Sequence, residues 1–537
     1  MLLLTRSGLV RYIGATLVAV FILAFGGVQA QAQDMAFKQA VAEAAALDRD
    51  IAEFYRDSGY APVWTGKQGT DRKRRNALIK ALNSAPLHGL PADRYNAAEL
   101  TQMLKSVRSP RDLGKVEVAM SKAFISYARD VQSGILTPSE VDSDIKRKAP
   151  LRDRKSYLTA FVDSNPAKFM RALPPQTGEY ARLLKARLQM EQVVSKGGWG
   201  PKVPGKKLEP GDSGNAVVAL RNRLIAMGYL KRSSTRSYDA TITKAVQKFQ
   251  AAHGLADDGV AGATTLQEIN VTAESRLKSV LVAMERERWF NRERGKRHVL
   301  VNLTDYTAKI MDNGKVTFRT RSVVGANKHD RRSPEFSDLM EHMIINPTWN
   351  VPRSIAVKEY LPMMQKNANA AGHLKLLDGS GRSVSRANID FSQYDEKNFP
   401  FDMKQPPSRS NALGLVKFMF PNRYNIYLHD TPAKSLFARE TRAYSHGCIR
   451  LQQPFEFAYA LLKPQSSNPK GEFHGHLKTG RETQVNLETK VPVHIIYRTA
   501  LTTAKGQLEF RRDVYGRDGR IWKALASAGV ALGAVQG

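Results

Sequence analysis

The sequence predicts a multidomain α+β chain, helical in its first half and mainly β in its second. Three observations carry this expectation. Apolar residues recur at helical spacing through residues 35–200, and again, more compactly, through 206–272. Residues 298–500 instead alternate with period two, interrupted over 355–411 by a long stretch of mixed polar sequence. Gly197 to Lys207, rich in Gly, Pro and Lys, separates the first two blocks as a linker does. The 537 residues suit about three domains of ordinary size.

Residues 1–32 read as an export signal. Arg6 and Arg11 begin it, an apolar run follows from Tyr12 to Val28, and Val28-Gln29-Ala30 or Ala30-Gln31-Ala32 suits a signal peptidase. Cleavage after Ala30 or Ala32 is expected. The alternative is an uncleaved anchor, because the run approaches the ~18 residues of a membrane span. In both cases the remainder lies outside the cytoplasm, and no later segment is apolar enough to cross a bilayer. Lys and Arg number 82 against 50 Asp and Glu, a net charge of +32. An exported chain rarely meets nucleic acid, so polyanionic envelope material or a membrane surface fits this charge better.

The helical region 35–200 mixes good helix formers with an apolar stripe, as at Ala77, Leu78, Lys80, Ala81 and Leu82, and offers nothing catalytic. Within 206–272, Val217, Leu220 and Leu224 mark one helix, Ile242, Val246 and Phe249 a second, and Thr264 to Ile269 a short third. Residues 273–297 form a helical connector. In the β region, Val299, Val301 and Leu303 alternate, and Asn313-Gly314 supplies a two-residue hairpin turn before Val316 and Phe318. The 355–411 insertion is long enough to be a functional lid. A second hairpin pairs Val416, Phe418 and Phe420 with a return from Tyr424 to His429. Residues 501–537 read as a C-terminal tail, which after Arg512 is either ordered around Tyr515-Gly516-Arg517-Asp518 or loose thereafter.

Cys448 is the single cysteine, so it has no partner for an intramolecular disulfide. It lies in Ser445-His446-Gly447-Cys448-Ile449-Arg450, downstream of His429. Strand alternation puts Ile426 and Leu428 on one face and Tyr427 and His429 on the other. His429 then ends a rigid strand, a good place for a base near a nucleophile. A free thiol with pKa about 8.5 is only a few per cent ionised at neutral pH, so a nearby imidazole matters. Arg450 and a helix beginning at Pro454 would favour the thiolate. The amides around Gly447 and Cys448 could hold an oxyanion. Zinc is the rival chemistry, with His429, His446 and Cys448 as ligands, but residues 446 and 448 are closer in sequence than common ligand pairs.

Two resemblances follow from these residues. The segment holding Leu208, Gly211, Gly214, Val217, Leu220, Gly228-Tyr229, Ala245-Val246, Phe249-Gln250, Asp258-Gly259 and Gly262 resembles the peptidoglycan-binding domain family. The span from His429-Asp430-Thr431 through Ser445-His446-Gly447-Cys448-Ile449-Arg450 resembles the L,D-transpeptidase catalytic domain. Asn411-Ala412-Leu413-Gly414 is similar to its larger Gram-negative members, which add a helical scaffold domain. The resemblance implies a mixed β sandwich over 298–500, with 355–411 as a substrate-capping subdomain. It implies Cys448 as nucleophile and His429 as base, with His446, Gly447 and Arg450 completing the catalytic set. Tyr427, Ser445 and Asn411 are expected to contact substrate.

The implied reaction is acyl transfer in the periplasm. A cysteine thioester forms on a tetrapeptide stem and passes to an amine, cross-linking the third residues of two stems. No metal or organic cofactor is required. Acylation of Cys448 by carbapenem-type β-lactams is also implied. Two alternatives share parts of this reading: attachment of an envelope protein to peptidoglycan, and a non-catalytic anchor or scaffold. Contact with the inner-membrane surface stays open as a partner, and oligomeric state is not derivable.

Overall fold

Helix Pro110–Ser133 organises the first domain, and its sequence explains where it starts. Ser109 caps it, Pro110 fits its first turn, and Ser109 and Asp112 form a reciprocal capping box. Val116, Met120, Phe124 and Val131 bury against Trp64 and Phe161, whose rings stack at 5.1 Å. Glu117 is also fully buried. Its carboxylate accepts from the Tyr55 and Thr65 hydroxyls and from the N–H groups of Val63, Trp64 and Thr65. A buried carboxylate is tolerated when donors satisfy it, and here it pins the loop that leads into helix Gly69–Asn83. This computed structural model describes residues 31–532, so the expected export signal lies outside the described residues apart from its last two positions. Among the described residues, no helix is long and apolar enough to cross a membrane.

The small domain contains helices Asn215–Ala226, Ala240–His253 and Ala263–Ile269 around Val217, Leu220, Val246 and Phe249. Asp239 accepts the N–H groups of Thr241 and Ile242 at the middle helix's start, and Gly254, with φ +66°, closes its end.

The segment expected as a connector is instead central. Helix Ala273–Trp289 packs against helix Gly178–Ser195 on one side and helix Arg517–Ser527 on another. Four successive charged residues, Glu285 to Arg288, are buried in it. Each has partners: Arg286 with Glu335 at 2.8 Å and Asp518 at 2.9 Å, Arg288 with Glu285 at 2.7 Å, and Glu287 with Arg294 at 2.9 Å and Arg498. Glu285 also accepts the N–H groups of Ile135 and Leu136, tying the scaffold to this helix. The expected C-terminal tail is likewise folded. Ala500–Thr502 pairs with Leu508–Phe510, and Ile521 and Leu525 join the core of the central helix. Buried Arg517 bonds Glu335 and the Ser333 carbonyl.

The second half is built on β1 (Arg297–Asn302), β2 (Thr307–Asp312), β3 (Lys315–Gly325) and β4 (Ser337–Ile345). The insertion then contributes β5 (Trp349–Asn350), β6 (Lys375–Leu377), β7 (Ser383–Val384) and β8 (Asp402–Gln405). Finally come β9 (Val416–Met419), β10 (Leu428–His429), β11 (Ala443–Ser445), β12 (Ile449–Leu451) and β13 (Thr483–Ile496). The main sheet is mixed, in order β11-β3-β12-β10-β9-β4-β13-β1-β2, and β2 also pairs with β3, closing it around the core. Asn313 and Gly314 both have positive φ, the two-residue hairpin geometry their sequence predicts.

The second hairpin is shorter than its alternation suggests. Its return strand is only Leu428–His429, because Asn422 reshapes the turn. The Asn422 side chain accepts from the Tyr424 and Ile426 amides and donates to the Phe420 and Ile426 carbonyls, and Asn425 takes φ +53°. The insertion folds as a unit over β5-β8-β6-β7 with its own core of Trp349, Leu361, Met364, Leu376, Phe391 and Met403. Tyr427 packs against both this core and that of the main sheet.

Candidate active site

β10 and β12 run side by side and parallel, with Leu428 opposite Ile449 and His429 opposite Arg450. Ile426, Leu428, Ile449 and Leu451 are buried in the main core. Period two therefore puts Tyr427, His429, Cys448 and Arg450 together on the opposite face. The Tyr427 and His429 rings meet edge to face at 5.6 Å. The Tyr427 hydroxyl lies beside the Cys448 thiol, and Sγ also points to the Asn425 carbonyl at 3.5 Å.

The electrostatics give a neutral pair. Burial pushes the Cys448 thiol up to about 11, and Tyr427 and Arg450 offset this only in part. Burial, then Arg450, pushes His429 down to about 3, against the pull of the Asp430 and Leu413 carbonyls. Nδ1 of His429 is 2.5 Å from the Asp430 carbonyl. Among the described residues no hydrogen bond joins His429 to Cys448, although both occupy one face. The helix Pro454–Leu462 does not assist the thiol: β12 intervenes at about 3.3 Å per residue, and a helix-end field fades within one turn.

Asp430 is itself held firmly, with Oδ2 accepting the Leu415 amide and Oδ1 accepting the Thr431 amide and Lys434 Nζ. Gly414 packs on it so closely that a Cβ would fall 2.3 Å from the carboxylate, at φ +62°.

The remaining expected site residues divide. His446 Nε2 meets Glu359 Oε1 at 2.5 Å, and Glu359 also accepts from Arg331 at 2.6 Å. Glu359 lies in the π-helical turn Ala356–Tyr360 of the insertion. Sequence reading missed it: it is 87 residues from His446, and no local pattern marks it. Gly447 has φ +110°, yet its N–H donates to Ser445 Oγ, so it is not a free oxyanion donor. Ser445 is buried and spends its hydroxyl inside the motif, donating to the Cys448 carbonyl. Asn411 is also corrected. It is fully buried, donates to the Pro347, Gln405 and Pro406 carbonyls and accepts from Leu413, which fixes where the insertion rejoins the sheet.

Arg450 has a buried Nε with no hydrogen-bond partner. Lys417 lies opposite His429 on β9, and burial lowers its pKa. Neither cation makes an ion pair among the described residues. The same residues contain no group of three His, Cys, Asp or Glu side chains placed to hold a metal ion.

Residues 296–493 match the family model described as the L,D-transpeptidase catalytic domain. This segment is thus an L,D-transpeptidase-type catalytic domain. Residues 213–269 match "Putative peptidoglycan binding domain" and 49–186 match a scaffold domain. The chain is 32% identical over 225 residues to a curated protein of Haemophilus influenzae named "Putative L,D-transpeptidase". That alignment covers 42% of this chain and 45% of the relative, so the chain spans under half the relative's length. A solved L,D-transpeptidase from Xylanimonas cellulosilytica is 14% identical, covering 55% of this chain and 100% of its own, at a TM-score of 0.18. One from Stackebrandtia nassauensis is 16% identical, covering 55% and 97%, at 0.22. In this site sulfur and imidazole both rest uncharged at neutral pH, beside an insertion that Glu359 fastens to the Ser-His-Gly-Cys segment.

Proposed function

We propose that this chain is a periplasmic peptidoglycan L,D-transpeptidase that works through a Cys448 thioester. The observation that carries the reading is the common face of β10 and β12, where Tyr427, His429, Cys448 and Arg450 meet under the cap. The matches of 296–493 to the L,D-transpeptidase catalytic domain and of 213–269 to a peptidoglycan binding domain support the substrate class.

Because the proton rests on sulfur by a wide margin, thiolate formation is coupled to attack rather than preceding it. Sγ bonds to the carbonyl carbon of the third stem residue while its proton passes to His429. The resulting imidazolium has carbonyl acceptors at hand in Asp430 and Leu413. The Cys448 amide and the Tyr427 hydroxyl stabilise the oxyanion. The C–N bond to the terminal D-alanine then breaks, and the departing amine takes the proton from His429. In the second half, an amine from a neighbouring stem attacks the thioester. Its proton passes through His429 to sulfur as the C–S bond breaks, leaving a cross-link between third residues. A thioester preserves acyl activation without a nucleotide, which suits chemistry outside the cytoplasm.

Incubation with tetrapeptide-bearing muropeptides tests the reading by mass analysis of products. The wild type is expected to form cross-linked dimers with release of D-alanine. Cys448→Ala is expected to fall by at least about a thousandfold with its thermal unfolding unchanged. Identical product profiles for the two proteins would overturn the reading.

A further inference from the structure

A second feature lies away from the thiol, on the seam between the scaffold and catalytic domains. A groove of about 870 Å³ runs between helix Pro110–Ser133, the segment 134–154 and the turn holding Arg423 and Tyr424. Its lining is strongly cationic. Arg94 and Arg154 are paired with scaffold carboxylates, Arg94 with Asp130 and Arg154 with Asp48 and Asp50. Lys122, Arg129, Lys146, Lys148 and Arg423 also line it and make no ion pair among the described residues. Arg147 adds a buried guanidinium, bonded only to the Ser337 hydroxyl and the Phe336 and Ile495 carbonyls. The one carboxylate in the lining, Asp130, is already taken by Arg94 and Tyr95.

The groove also has a direction and a rigid frame. Ile145 pairs with Glu335 as a parallel bridge, so main-chain hydrogen bonds tie the 134–154 segment to the chain just before β4. Tyr424 carries Lys146 over its ring at 5.7 Å and Arg423 at 5.4 Å. The next residue, Asn425, places its carbonyl 3.5 Å from Cys448 Sγ. Adjacent Cα atoms are about 3.8 Å apart, so one turn supplies both a groove-lining ring and a carbonyl that touches the thiol. Unpaired cations facing a cleft focus an attractive field on an anionic chain.

We infer that this groove is an exosite for the peptidoglycan strand itself, holding the free carboxylates of stem peptides adjoining the one at Cys448. The inference rests on the transpeptidase reading and adds a second contact region for that substrate. It also gives part of the excess positive charge a destination.

The test compares the full-length wild type with a Lys122→Glu/Arg129→Glu/Lys148→Glu variant on two substrates, purified sacculi and a soluble disaccharide tetrapeptide. The variant is expected to cross-link sacculi about tenfold more slowly at low salt. The gap should close towards 1 M salt, where the Debye length is about 3 Å. Rates on the soluble substrate should stay within about twofold, because it has a single stem and no adjoining stem to fill the groove. The domain at 213–269 is intact in both proteins, so it does not produce the difference. No loss on sacculi, or equal loss on both substrates, overturns the exosite. If the wild type processes neither substrate, the transpeptidase reading fails. The groove is then judged by sedimentation with sacculi, where the variant should lose salt-sensitive binding and an unchanged profile refutes it. Loss of binding to phosphatidylglycerol vesicles with sacculus binding unchanged would assign the groove to a membrane and also refute it.

Discussion

Two regions of this molecule bury charge, and they treat it in opposite ways. In the central helix Ala273–Trp289, Arg286 and Arg288 each meet carboxylates inside the protein, and Glu335 serves both Arg286 and Arg517. On the face of β10 and β12, Arg450 and Lys417 flank His429 without an ion-pair partner, and the thiol and imidazole remain neutral. Compensated buried charges make a rigid joint, because losing one partner strands the other in a medium that solvates it poorly. Uncompensated ones leave field and hydrogen-bonding capacity for a bound molecule.

Glu335→Ala breaks the first half of that comparison most severely. It leaves two buried guanidinium groups short of a carboxylate, and denaturant unfolding should show a loss of about 3–5 kcal/mol. A loss below about 1 kcal/mol would mean that Asp518 and Asp142 compensate Arg286 and Arg517 unaided.

Acid sharpens the second half. His429 and His494 are held near 3 and His88 near 4, each lowered chiefly by burial, so the folded protein keeps them neutral where the unfolded chain protonates. Their contribution is complete above pH 6.5 and falls as pH drops from there towards the folded values. By pH 5 each site should cost about 2 kcal/mol, seen as a falling unfolding midpoint. A midpoint flat between pH 7 and 5 would contradict neutral burial.

The smallest expected effect belongs to the contact between cap and motif. Glu359→Gln keeps the size of the side chain but weakens its hold on His446 and Arg331. It should lower kcat/KM by about tenfold through cap placement while the unfolding midpoint stays put. Unchanged kinetics would reduce Glu359 to a surface pair.

Local patterns were legible where adjacent residues carry the information. Alternation at Ile426, Tyr427, Leu428 and His429 sorted core from site, and Asn313-Gly314 named its own turn. Asn411 and Ser445 stand in the expected neighbourhood, but both spend their polar groups on the chain itself, which no local pattern foretells. Glu359 left no trace, since an acidic residue in a polar insertion resembles a solvated one until the fold brings His446 to it. The helix after Gly516 was hidden for a similar reason, because its burial depends on a surface formed by residues 273–289.

The sequence by itself determined the order of helical and β blocks and the strand face that Tyr427, His429, Cys448 and Arg450 share, because periods of 3.6 and 2 are set by near neighbours. Only the tertiary structure decided which charges cancel, that the connector is the central helix, and that sulfur and imidazole rest neutral. Those outcomes depend on dielectric burial and on residues hundreds of positions apart, which no stretch of chain encodes until it has closed on the rest.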